Sequence, residues 1–282
     1  MTEETISGSI GTLVSIDGHD IHVREDGPSD GPPIVLIHGF LGSMRWFDRL
    51  IPLLSEDFRL LRIDLLGHGS SSKPRYGYSP EAQARVLGTL LTRRRIVKPT
   101  VLGFSLGADI AIALMESGVE VNKLIIIDEG PDYSLVSPPV TNKILRIPVL
   151  GRLLHAILPE FVYRQAVEGF LAPGVSVEAV FDDPAQAVND ARVVPYACFI
   201  ASQEEKERFV AEVPLDDRIS KLGVATLAIF GQDDQIYRAE ESCERYRALS
   251  NATAEIIPAA GHSPVVEQPV RTAELIRAFI AA

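Results

Sequence analysis

The sequence predicts an α/β fold, with a mostly parallel eight-stranded sheet flanked by helices and interrupted by an inserted helical segment. Three observations predict it. Short β-branched and aliphatic runs alternate with longer segments of helical period. Those runs are continuously apolar, as strands covered on both faces must be. The interval from Asp128 to Gly223 is far too long for a simple crossover, and prolines break it into helix-like pieces. The 282 residues, 46% hydrophobic and 23% charged, fit one large core with an insertion and exclude a disordered, collagen-like or coiled-coil chain.

The elements follow in order. Ser9 to Ile16 and Asp20 to Glu25 flank Asp17-Gly18, a tight hairpin dipeptide that places an antiparallel edge first. Buried-type strands then occupy Pro33 to Ile37, Arg59 to Ile63, Thr100 to Gly103, Lys123 to Ile127, Val224 to Phe230 and Ala254 to Ile257. Helical patterns fill Ser43 to Leu54, Pro80 to Arg95, Ser105 to Glu116, Arg238 to Ala248 and Val266 to Ala281. Ser79 before Pro80 reads as a capped start with proline in the first turn. The insertion carries helix-like stretches at Asn142 to Leu158, Glu160 to Leu171, Val177 to Phe181 and Ser202 to Glu212. The chain thus divides into a core, residues 1–130 and 214–282, and a helical lid, residues 131–213.

Charge and cysteine usage bound the function. The formal net charge of -11 opposes nucleic-acid binding, which needs a basic face. Cys198 and Cys243 form no CxxC pair and read as structural thiols of a reducing compartment. The polar, acidic start Met1 to Thr5 lacks the basic and apolar regions of a secretory signal, and no run reaches the ~18 apolar residues of a membrane helix. A cytoplasmic location without stable membrane insertion is the expectation.

The chemistry concentrates in Gly103-Phe104-Ser105-Leu106-Gly107, where an apolar strand runs straight into a helix of small residues. A serine on such a turn points its hydroxyl out of the sheet, and the two glycines let neighbouring backbones close in. A serine hydroxyl is a poor nucleophile without a histidine held by a carboxylate. Gly231-Gln232-Asp233-Asp234 and Gly261-His262 follow two later strands, so an aspartate and a histidine reach the same sheet edge as Ser105.

Four motifs carry a family resemblance: His38-Gly39-Phe40, Asp64-Leu65-Leu66-Gly67-His68-Gly69-Ser70-Ser71, Gly103-Phe104-Ser105-Leu106-Gly107, and Gly261-His262 with Glu267-Gln268-Pro269. The chain resembles the α/β-hydrolase superfamily, in its lid-bearing esterase-like group, from about Gly11 to Ala281. The resemblance implies Ser105 as nucleophile and His262 as general base, then general acid. It implies Asp234 as the acid, with Asp233 as its neighbouring alternative, and a second family position for the acid at Asp128 and Glu129. The oxyanion hole falls to the backbone N–H groups of Phe40 and Leu106. The implied activity is a serine hydrolase cleaving a small-to-medium apolar carboxylic ester through an acyl-enzyme, with no cofactor. The same triad also serves carbon–carbon bond, thioester and lactone hydrolysis, cofactor-free perhydrolysis and lyase reactions. A non-catalytic ligand-binding member of the fold is the rival from another class. Phe104 and Ala108 depart from the family's commoner residues without removing a catalytic group.

Other residues take supporting roles. His38 reads as a hydrogen-bonding residue at the base of the hole, His68 and Asp64 as loop braces, and His19 and His22 as solvated hairpin residues. The candidate substrate pocket comprises His38, Trp46, Phe104 and His155. The apolar stretch Ile144 to Val162 is expected to pack on the core or to roof an acyl pocket. Arg93-Arg94-Arg95 suits a helix C-terminus. The histidines show no metal-ligand spacing, and Gly-x-Ser-x-Gly lacks the lysine of a phosphate-binding loop.

Overall fold

The computed structural model describes residues 4–5, 11–136 and 145–282. Its strands are β1 (Glu4–Thr5), β2 (Thr12–Ile16), β3 (His19–Asp26), β4 (Pro33–Ile37), β5 (Arg59–Ile63), β6 (Thr100–Phe104), β7 (Lys123–Ile127), β8 (Thr226–Gly231) and β9 (Ala252–Ile257). They form one sheet in the order β1-β2-β3-β5-β4-β6-β7-β8-β9. Pairs up to β3–β5 are antiparallel and every later pair is parallel. The eight expected strands are all present, and the two-residue β1 adds a ninth at the antiparallel edge. Ser9 and Ile10 lie outside the described residues.

Every residue of β6 is buried, as are Ile34 to Ile37 of β4. Successive side chains point to opposite faces of a sheet, so the parallel half is covered on both sides. The order reverses between β5-β4 and β6, and the crevice at such a switch point opens at the carboxyl ends of the strands.

The core helices are α1 (Ile51–Leu54), α2 (Pro80–Arg93) and α3 (Leu106–Glu116). Between β7 and β8 lie α4 (Pro148–Ala156), α5 (Glu160–Glu168), α6 (Val177–Val180), α7 (Pro184–Arg192), α8 (Tyr196–Glu212) and α9 (Leu215–Leu222). After β8 come α10 (Ala239–Arg247), α11 (Pro264–Glu267) and α12 (Pro269–Ala281). The segment that leaves after β7 returns beside its own start, because the Leu215 N–H donates to the Pro131 carbonyl at 2.9 Å.

Several expectations are corrected. Ser43 to Leu54 is not one helix: a 3₁₀ turn, Met44–Phe47, precedes α1, whose first turn holds Pro52. Val266 to Ala281 splits because Gln268, ahead of Pro269, leaves the helical region at φ -133°, ψ 55°. The helix expected at Ser202 begins at Tyr196, where an apolar run after Pro195 hides the helical period. Two helices lack a sequence expectation, although Asp183 caps the first through the Gln186 N–H and Gly223 ends the second at φ 66°. His22 is not solvated; it is buried, with Nδ1 2.8 Å from Asp64 Oδ2.

The expected packing of Ile144 to Val162 also differs. Asn142 to Ile144 lie outside the described residues. In α4 and its flanks, Ile147, Val149, Leu150, Leu153, Ile157 and Phe161 are exposed, and Gly151 and His155 turn inward. Gly151 permits this, since a Cβ there would stand 2.0 Å from the Leu145 carbonyl oxygen.

Candidate active site

Ser105 sits between the end of β6 and the start of α3 at φ 49°, ψ -125°. A non-glycine residue there is strained, at a cost of roughly 1–3 kcal/mol. Neighbouring contacts hold it: the Ser105 N–H donates to the Ile127 carbonyl at 2.8 Å. A Cβ on Gly103 would stand 2.4 Å from the Gly107 carbonyl oxygen, and one on Gly107 2.2 Å from that of Ile37. Both positions must therefore lack a side chain for strand, turn and helix to close.

Ser105 Oγ lies 3.0 Å from His262 Nε2, and His262 Nδ1 lies 2.9 Å from Asp234 Oδ2. A carboxylate facing Nδ1 fixes the proton there and leaves Nε2 as the acceptor for the serine hydroxyl. Asp234 is itself held by the Ile236 N–H, which donates to Oδ1 at 2.7 Å. Asp233 is exposed and makes no contact of this kind. The histidine loop is fixed by Glu267, whose carboxylate accepts from the N–H groups of Ala172 (2.8 Å), Gly261 (2.9 Å) and Ser263 (3.3 Å).

The Gly39 loop lies against the nucleophile, for a Cβ on Gly39 would stand 3.1 Å from Ser105 Cβ. Leu106 is the first residue of α3, so its N–H has no partner within the helix. Among the described residues neither that N–H nor the Phe40 N–H donates to a protein group. Beneath the loop, His38 Nε2 accepts from the Leu65 N–H at 3.0 Å and Nδ1 lies 2.8 Å from the Gly39 carbonyl. Both ring nitrogens of His38 are thus spent on backbone, and burial holds its pKa below the ordinary histidine value. Asp64 accepts from the N–H groups of Met44 and Ser70 and pairs with His22. Burial pushes its carboxyl up, but those bonds outweigh it and hold Asp64 below the usual carboxylate range. His68 is buried, and burial lowers it to about 3, so it is neutral.

Aromatic side chains wall the site. Phe104, Phe170 and Tyr237 place ring centroids 5.7, 5.8 and 6.0 Å from that of His262. Trp46 stacks on Phe104 at 5.7 Å and meets Phe181 at 5.1 Å. Phe199 of α8 meets Phe40 at 5.4 Å. His155 stands one ring further out, 5.5 Å from Phe199. Ser105 is 8% exposed and His262 1% exposed beneath this cover.

Of the sequence-predicted residues, Ser105, Asp234, His262, Phe40, Leu106 and Phe104 come together, and Trp46 joins through Phe104. Glu267, Phe170 and Lys206 carry weight that the sequence reading did not assign. Glu267 had a signal, because it stands in the Gly261-His262 motif. Among the described residues, one group of potential metal-ligating side chains meets within 4.8 Å: Asp128, Asp234 and His262. Both nitrogens of that imidazole already face Asp234 and Ser105, so this set fits a proton relay better than an ion.

Asp190 of α7 ties the segment between β7 and β8 to the Gly39 loop, accepting from Ser43 Oγ–H at 2.6 Å and Gln186 Nε2–H at 2.7 Å. Burial pushes its carboxyl up to about 7. The folded chain then holds a proton that an unfolded aspartate releases near pH 4, so this group's contribution to stability falls as pH rises from about 4 to about 7. Asp190→Asn removes that dependence. Thermal melts of both proteins from pH 5 to pH 8 should show the variant gaining on wild type with pH, by about 2–3 kcal/mol.

A model of the alpha/beta hydrolase family matches residues 34–275. The chain belongs to this family and is an enzyme of the hydrolase type. It is 28% identical over 279 residues to "Lipase 3" of Moraxella sp. (strain TA144), covering 95% of this chain and 83% of that protein. It is 25% identical over 287 residues to a Bacillus subtilis (strain 168) protein provisionally named a 2-succinyl-6-hydroxy-2,4-cyclohexadiene-1-carboxylate synthase, covering 98% and 99% of the two. An esterase structure from Exiguobacterium antarcticum superposes with a TM-score of 0.79 at 21% identity, over 96% of this chain and 100% of that one, a likeness of fold. No helix among the described residues is long and apolar enough to cross a membrane.

Proposed function

We propose that the chain is a serine hydrolase cleaving small-to-medium apolar carboxylic esters through an acyl-enzyme. The observation that carries this reading is the Ser105 Oγ–His262 Nε2 contact at 3.0 Å, backed by Asp234 at 2.9 Å from Nδ1. His262 takes the Ser105 proton as Oγ attacks the ester carbonyl. The N–H groups of Phe40 and Leu106 receive the negative charge on the carbonyl oxygen, the second with the partial positive charge of a helix N-terminus behind it. His262 then protonates the departing alcohol, and water repeats the attack on the acyl-enzyme.

Residues 131–213 act as a lid over this site. The contacts of Phe170 with His262 and of Phe199 with Phe40 support that role. The aromatic wall of Trp46, Phe104 and Phe170 favours an apolar acyl group. The Bacillus relative's printed name supplies a second reading, a synthase acting on a carboxylated ring with the same three residues. An ester panel graded by acyl length, run beside a diketone, a thioester and a carboxylated cyclohexadiene, separates the two. Fastest turnover of the charged ring compound would overturn the ester reading.

The acid assignment has its own test. Asp234→Asn lowers kcat by roughly 10²- to 10⁴-fold, because an amide cannot hold the productive tautomer. Asp233→Asn leaves kcat within about threefold, as expected of a surface change remote from the reacting groups. The reverse pattern in steady-state kinetics would transfer the role to Asp233.

A further inference from the structure

Asp128 directly follows β7 at φ 48° with its side chain wholly buried. Such a backbone angle is costly for a non-glycine residue and persists only where the surroundings hold it. Its N–H donates to the Ile229 carbonyl, and its Oδ1 accepts from the Gly231 N–H at 2.8 Å. Its Oδ2 is buried and accepts no hydrogen bond among the described residues. One ligand atom each from Asp128, Asp234 and His262 lies within 4.8 Å of the others. Two carboxyls so close and so buried cannot both be ionised, and one keeps a proton.

The proton belongs on Asp128. Asp234 receives two donors, His262 Nδ1–H and the Ile236 N–H, and Asp128 receives one. The remaining groups facing Asp128 do not favour its charge. Glu267 of α11 adds negative potential, and Cys243 of α10 is a buried thiol. Burial and then Asp234 push Asp128 well above the usual carboxylate range.

We propose that Asp128 is a positioning residue that presents a proton to the Asp234 carboxylate, limits the negative charge Asp234 offers to His262, and supplies that charge itself when Asp234 is neutralised. The inference rests on the Ser105–His262–Asp234 reading above. A carboxyl O–H aimed at Asp234 spreads its charge and so lowers its hold on the imidazolium. With Asp234 made neutral, the repulsion that keeps Asp128 protonated disappears. Asp128 then releases its proton to solvent as pH rises, and its carboxylate faces the imidazole before His262 accepts the serine proton.

The test compares wild type, Asp128→Asn, Asp234→Asn and the double variant on a soluble nitrophenyl ester across pH, with a thermal melt of each. Asp234→Asn should fall about 10²-fold instead of the ~10⁴-fold usual for losing a triad acid. Its remaining rate should rise with pH as Asp128 gives up its proton. Adding Asp128→Asn should remove at least another tenfold. Asp128→Asn alone should move the acid limb of kcat/KM to higher pH, because an amide N–H donates more weakly and leaves Asp234 more charge for the imidazolium. Asp128→Ser is shorter, polar and uncharged, and it gives the same comparison where the asparagine variant fails to fold. Equal turnover of Asp234→Asn and the double variant, or an unmoved acid limb, overturns the inference and leaves the triad reading intact. Wild-type turnover by Ser105→Ala overturns both.

Discussion

Ser105→Ala removes ester turnover, with a fall in kcat of the order of 10⁶, and removes labelling by a fluorophosphonate probe. The size follows from the role: among the described residues no other hydroxyl shares the imidazole, and without it the oxyanion donors have only a slow water attack to assist. Stability should hardly change. Among the described residues the Oγ bonds only to His262, and alanine carries the same Cβ at the same backbone angle. Equal labelling of variant and wild type would place the nucleophile elsewhere. A folded but unlabelled wild type would favour the ligand-binding rival. Thermal melts beside the labelling assay separate loss of chemistry from loss of fold.

Lys206→Met should cost about 3–5 kcal/mol of stability, the penalty for leaving a buried charge without its partner. Lys206 comes from α8 and enters the core, with Nζ 2.5 Å from Glu129 Oε2, 3.3 Å from Tyr237 Oη and 3.6 Å from Asp109 Oδ2. Its side chain is 14% exposed, and those of Glu129 and Asp109 are 1% and 0%. Burial alone would lower the Lys206 pKa, but Glu129 and Asp109 outweigh it and hold the ammonium above the ordinary lysine range. Asp109 is pushed well above the carboxylate range, first by burial and then by Glu129. One lysine therefore faces two buried carboxyls, and Asp109 is the one whose charge is disfavoured. Removing it leaves Glu129 only the Tyr237 hydroxyl among the described residues, and the melting temperature should fall by roughly 6–15 °C at this chain length. The double variant Lys206→Met/Glu129→Gln should recover at least half of the loss, because no unpaired charge remains. A single variant that melts within about 2 °C of wild type would mean that water reaches Glu129 and that the pair contributes little.

The parts legible in the sequence share one property: their cause is local. Gly103 to Gly107 announce the elbow because each glycine answers a close backbone approach within the same strand and helix or in the strand beside them. Asp17-Gly18 announces the hairpin for the same reason. The order of Ser105, Asp234 and His262 was readable because each follows a recognisable strand. Contacts made by folding were not readable. Nothing near Lys206 shows that its ammonium will meet Asp109 and Glu129, which lie on two other elements. His22 looks like a hairpin surface residue until Asp64 arrives from the next strand. The outward face of α4 inverts a pattern that usually means burial, because Gly151, not a leucine, makes the close approach. Phe170 meets the histidine loop from the segment between β7 and β8 and Glu267 from α11, and no spacing rule links them.

The Leu215–Pro131 hydrogen bond brings the two ends of the segment between β7 and β8 to a single doorway at the rim of the sheet. A graft joined there need not disturb strand register, so natural variation can rewrite the chamber above the nucleophile while the machinery below stays unchanged. Ties such as Asp190–Ser43 and Lys206–Glu129 restrain this freedom. Any transplanted cover must bring a cation to the place of Lys206, or arrive with Glu129 already neutral.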